Sequence, residues 1–141
     1  MRTIEKEIDD GRYKKKFHVH LIADTVARVD LWGRIFVSQD FFKLNHDEQL
    51  AALYHEEGHD KQSLKSIWWF IKHPFGFKKI SWEREYDADI YASKKTNVPS
   101  VVSLLRKAYV AYSDGTTAYN ENTHPPVSAR IQNVKEGIRI F

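Results

Sequence analysis

The chain contains no cysteine. A disulfide framework is excluded, and so is any thiolate metal site. A metal bound here must be held by carboxylates and by some of the seven histidines. No stretch approaches about 18 apolar residues, so no transmembrane helix is expected. The first 16 residues are charged and carry no apolar run, so no signal peptide is expected either. Together these point to a cytoplasmic protein. Glycine (6) and proline (4) are few, and there is no low-complexity segment and no internal repeat. A strong charge of one sign is also missing. With 22 Lys and Arg against 19 Asp and Glu, the net charge is +3. The Lys14, Lys15, Lys16 and Lys78, Lys79 clusters are short and scattered, so no nucleic-acid partner is expected.

What is present suffices for one domain over residues 1–141, since 42% of the chain is apolar and 13% aromatic. Residues 1–16 read as a flexible or helical lead-in broken at Gly11. Phe17, Val19 and Leu21 alternate with His18 and His20, which predicts a strand with the histidines facing outward. An extended run over 25–31, a turn at Trp32, Gly33 and Arg34, and a short strand over 35–38 follow. A small, largely antiparallel sheet over about 17–38 is predicted. Asn45 with Glu48 three residues on forms a capping box for a helix over 46–60. Ser63 caps a second helix over 64–72, whose run Trp68, Trp69, Phe70 and Ile71 is either packed in a core or a patch for a membrane surface or partner. Ser81 caps a helix over 82–95. Ser100 caps one over 101–112, and Pro125 and Pro126 start one reaching about residue 135. Strands followed by a helical bundle define an α+β class.

The helix over 46–60 carries His55, Glu56, Glu57, Gly58 and His59, a His-Glu-x-x-His pattern. Residues i and i+4 share a helix face, so both imidazoles can reach one metal ion. Glu56 can reach a water on that ion. This is the arrangement of a zinc metallopeptidase, with two ligands and a general base. Gly58 costs roughly 1 kcal/mol relative to Ala inside a helix, which fits close approach of another backbone.

Catalytic zinc usually takes three protein ligands. The metzincin pattern would need Gly and His where Gln62 and Lys65 stand, so a carboxylate from a later helix is expected. Glu85 and Asp89 are four apart and share a face. Glu85 is read as the third ligand and Asp89 as acceptor of a ligand histidine's free N–H. Glu83 and Asp87 form the competing pair one face over. Trp82, Tyr86 and Ile90 form an inward stripe that flanks Glu85 more closely than Glu83. Ala88 and Ala92 permit close helix approach.

His55, Glu56 and His59, then Glu85, Tyr86, Ala88 and Asp89, then Thr123, His124, Pro125, Pro126 and Arg130 resemble the gluzincin metallopeptidases of the CAAX prenyl protease and HtpX type. The stretch from Gly33 to Ser38 and the run from Asp47 to His55 are similar to that family's strand and active-site helix. In length the chain resembles the soluble, single-domain minigluzincins. The resemblance implies zinc on His55, His59 and Glu85, Glu56 as catalytic base and acid, and Asp89 behind the ligands. It places His124 near the metal, either hydrogen-bonding the oxyanion, filling the open zinc position, or serving structure alone. Arg130 either pairs with Glu85 or Asp89 or forms a surface ion pair. The family's usual Asn-Ala pair on the edge strand is replaced by Arg28, Val29 and Asp30.

The function expected is zinc-dependent endopeptidase activity on a peptide or protein in extended conformation. The alternative is a latent or non-catalytic zinc-binding domain, its site blocked by His124 or by the tail from Gly137 to Phe141.

Overall fold

In the computed structural model, residues 4–12, 15–21, 27–29, 34–72, 77–113 and 125–137 are described, the side chains of 4, 5, 29, 63–70, 77–80 and 108–113 excepted. The sheet begins earlier than residue 17. The strand β1, Ile4–Asp10, pairs antiparallel with β2, Lys15–Leu21. The lead-in is therefore neither helical nor flexible over these residues. Its charged positions obscured a period of two. Ile8 is half-buried and Asp10 is buried, while Lys6, Glu7 and Asp9 are exposed. Gly11 and Arg12 begin the turn after β1. Burying Asp10 is possible because Tyr54 donates its hydroxyl to Asp10 Oδ2 at 2.7 Å and the Arg12 backbone N–H donates to Oδ1 at 3.1 Å.

The strands β3, Ala27–Val29, and β4, Ile35–Val37, complete a sheet of order β1-β2-β4-β3. β3 and β4 are antiparallel, and β2 and β4 are parallel. The sheet is thus mixed, with two antiparallel pairings and one parallel, and β3 lies at its edge. Phe17, Val19, Ile35 and Val37 are buried on the inner face. His18 is exposed and His20 half-buried on the other, as their alternation predicts. The turn residues Trp32 and Gly33 lie outside the described residues.

After a 3-10 turn, Gln39–Lys43, the helix α1 runs from His46 to Lys72 without a break. Asn45 and Glu48 form the capping box: the Glu48 N–H donates to Asn45 Oδ1 at 2.8 Å, and the Asn45 N–H donates to Glu48 Oε1 at 3.0 Å. Ser63 does not start a second helix. Neither Gly nor Pro stands between Asp60 and Leu64, and one serine is tolerated inside a helix. The helix α2, Phe77–Lys95, begins five residues before the expected Trp82, so Ser81 is internal. In α3, Val98–Ser113, the cap is Asn97, whose Oδ1 accepts the Ser100 N–H at 2.8 Å. Pro99 falls in the first turn, where its missing N–H is harmless. The helix α4, Val127–Glu136, follows Pro126 and closes at Gly137, whose φ of 72° suits glycine.

One core joins the layers. Leu50, Leu53 and Tyr54 of α1 meet the inner face of the sheet, Val101, Leu104 and Leu105 of α3 and Val134 of α4. Within the helix layer α1 packs against α2 and α3, and α4 packs against α2 and α3. Among the described residues no helix is long and apolar enough to cross a membrane. Ile71 is 67% exposed near the end of α1. The side chains of Trp68, Trp69 and Phe70, expected as a core or docking patch, lie outside the described set.

Candidate metal centre

α1 places His55 and His59 one turn apart, and α2 brings Glu85 to meet them. The contact is close because Gly58 lacks a side chain. A Cβ there would lie 3.2 Å from the Ala88 Cα and 3.4 Å from the Ala88 and Tyr91 Cβ atoms. Ala88 and Ala92 are fully buried, as their small size predicts for a tight helix pair. The helix spacing is thus set by small residues facing each other, and it delivers the carboxylate to the imidazoles.

The three groups converge. His55 Nε2 and His59 Nε2 are 3.0 Å apart. Glu85 Oε2 is 3.2 Å from His55 Nε2, and Glu85 Oε1 is 3.1 Å from His59 Nε2. A tetrahedral ion with bonds of about 2.0–2.1 Å separates its ligand atoms by about 3.3 Å. The observed edges match that spacing. The lone pairs of these three groups oppose one another unless a proton or a metal ion stands between them. The group of buried His55, half-buried His59 and buried Glu85 can therefore hold a metal ion. Glu83, the rival position, is not in this group and is only half-buried.

Behind His55 stands an anionic chain. His55 Nδ1 donates to Asp89 Oδ1 at 2.8 Å. Arg130 of α4 grips Asp89 bidentately, with Nε to Oδ2 and Nη2 to Oδ1, both at 2.8 Å. The same Nη2 lies 3.1 Å from Glu85 Oε2. Arg130 and Asp89 are each 1% exposed. Of the two roles open to Arg130, the buried one is found, toward both carboxylates.

Electrostatics follow from this packing. Burial pushes the His55 imidazole down, but the Glu85 and Asp89 carboxylates outweigh it and lift it to about 10. Burial raises Glu85, yet His59, Arg130 and His55 hold it well below the carboxylate range. Asp89 is likewise lowered against its burial, chiefly by Arg130 and His55. Glu56 goes the other way. It is buried, and burial lifts its carboxyl above the usual value although His55 and His59 oppose the rise.

Two neighbours escaped sequence reasoning. Gln62, 4% exposed, faces His59: their Oε1 and Nδ1 are 3.2 Å apart. Arg84 is half-buried. Burial lowers its guanidinium below the ordinary value while Glu85 and Glu56 hold it up. The one signal for Gln62 is its i+3 spacing from His59, which puts the two on one face. His124 and residues 138–141, the expected plugs or oxyanion contact, lie outside the described residues. Pro125, next to His124, is buried at the start of α4.

An α+β protein with a largely buried His-His-Glu site able to hold a metal ion is what this geometry defines. No protein-family model, no curated protein and no solved structure matches the chain.

Proposed function

We propose that the chain is a zinc-dependent endopeptidase of the gluzincin type. The observation that carries this reading is the convergence of His55, His59 and Glu85 at ligand spacing, with a second buried carboxyl, Glu56, next to the first ligand on the same helix. The donor set, two imidazoles and one carboxylate, is the His2Glu type that suits catalytic zinc and leaves a coordination position open. When bound, zinc supplies Lewis-acid polarisation and acidifies water.

The chain's own residues supply the rest. Glu56 takes the proton from the attacking water and delivers it to the leaving amine. Its upward shift by burial brings its proton affinity nearer the working pH. Asp89 and Arg130 keep the His55 ring oriented and its Nε2 turned toward Glu85. The substrate lies extended along β3, the strand that ends the sheet among the described residues.

The test uses an unfolded protein as substrate. Wild type hydrolyses it when loaded with zinc. Glu56→Gln binds zinc as tightly but turns over about 10²–10⁴-fold more slowly, the usual contribution of a general base. Hydrolysis by that variant at the wild-type rate would sink the assignment.

A further inference from the structure

We infer that Gln62 is a positioning residue that fixes the tautomer of His59, and that Asp87 and the Arg84 carbonyl in turn fix Gln62. The inference rests on the reading of His55, His59 and Glu85 as a metal site, and not on peptide hydrolysis.

The argument is one of donors and acceptors. Gln62 Nε2 lies 3.1 Å from the Arg84 carbonyl oxygen and 2.9 Å from Asp87 Oδ2. A carbonyl only accepts, and an ionised carboxylate only accepts. The amide must therefore turn its NH2 toward both of them. That leaves Oε1, an acceptor, facing His59 Nδ1 at 3.2 Å. His59 must then carry its proton on Nδ1 and donate it. Its Nε2 is the nitrogen left to face His55 Nε2 and Glu85 Oε1, where a metal ion would displace whatever proton it shares with the carboxylate.

The chemistry explains why an amide stands here. A carboxylate at position 62 would face Asp87 and a carbonyl, and three acceptors would repel. A hydrocarbon would leave Asp87, only 2% exposed, without this donor. The two histidines are thus held by different means. His55 leans on a carboxylate, which makes its imidazole more basic as well as oriented. His59 leans on a neutral amide, which acts through the direction of the hydrogen bond alone. The relay also ties the site to the α1–α2 contact, because Gln62 belongs to α1 while Arg84 and Asp87 belong to α2.

The test reads the tautomer directly. Histidine 15N NMR of the full chain, metal-free and zinc-loaded, is expected to show a proton on His59 Nδ1 in both states. In Gln62→Met the signal is expected to move toward Nε2–H, the form a free imidazole prefers, and zinc affinity to fall about 10–100-fold by chelator competition. Asp87→Asn keeps the shape and lets the Gln62 amide turn over. It is expected to give a mixture of tautomers and intermediate affinity, and it serves if Gln62→Met does not fold. His59 remaining wholly Nδ1–H in Gln62→Met and in Asp87→Asn, with unchanged zinc affinity, would overturn the inference. Wild type that binds zinc while His59 Nδ1 carries no proton would overturn it too. Wild type with the Nδ1–H form but no zinc binding would instead overturn the metal reading and support the lock.

Discussion

Arg130 holds the centre together from behind. It is the largest fully buried side chain among the described residues, and its guanidinium faces two carboxylates, Asp89 and Glu85. Removing one partner of such a group strands the other charges without water. Arg130→Met is expected to cost about 3–5 kcal/mol, a loss on the order of 10 °C in the melting temperature. Arg130→Lys keeps a charge but not the fork that grips Asp89, so its melting temperature should fall between the two. A lysine variant no better than the methionine one would mean that packing, not charge, is what Arg130 contributes. At this scale the sequence was legible where spacing alone decides. Residues four apart share a helix face, which sufficed for His55 with His59 and for Glu85 with Asp89. The fate of Arg130 was open, because pairing across 41 residues of chain leaves no local pattern. Gln62 was hidden for a different reason: an amide has no charge and no ligand chemistry to announce it.

The element that sets the site is the crossing of α1 and α2. Gly58 faces Ala88 there, and an added Cβ would come within 3.2 Å of the Ala88 backbone. Inside an ordinary helix, Gly to Ala stabilises by about 1 kcal/mol. In Gly58→Ala that gain is expected to be outweighed. The helices must part by a few tenths of an ångström, moving Glu85 away from both imidazoles. Thermal melts should show lower stability and chelator competition weaker zinc binding. A higher melting temperature with unchanged affinity would show that the contact is not limiting. Helix boundaries were less legible than helix faces. Ser63 and Ser81 have the chemistry of caps, yet both sit inside helices, because no glycine or proline next to them forces a stop and tertiary packing extends the turns. Asn45 was read correctly because two residues cooperate in its capping box. β1 was missed because its outward charges outnumber its inward apolar residues.

At the scale of the molecule, two buried acids tie the layers and make stability depend on pH. Glu48 of α1 accepts from Ser103 and, at 2.9 Å, from Lys107, both of α3. Burial raises the Glu48 carboxyl, but Ser103, Lys107 and the Asn45 N–H outweigh it, so its folded value lies below 4.5. Asp10 is lowered in the same way against its burial by Tyr54 and Arg12. A carboxyl lowered on folding contributes stability above its unfolded value, and that contribution is lost as pH falls through the folded one. These two acids should therefore make stability decline as pH falls below about 4.5. Glu48→Gln should lose about 1–3 kcal/mol at pH 7 and show a shallower acid decline in urea titrations. An acid decline as steep as wild type would assign the linkage elsewhere. The α+β class was legible from the order of strands and helices. The parallel pairing of β2 with β4 was not, since register between distant strands is settled by the shared core. The account stands or falls on the metal. Purified chain should be loaded with zinc, dialysed and analysed for metal per chain, alongside Glu85→Ala and Glu83→Ala. One zinc per chain in wild type and in Glu83→Ala, and none in Glu85→Ala, is the expected result. Zinc retained by Glu85→Ala, or none held by wild type, would contradict it.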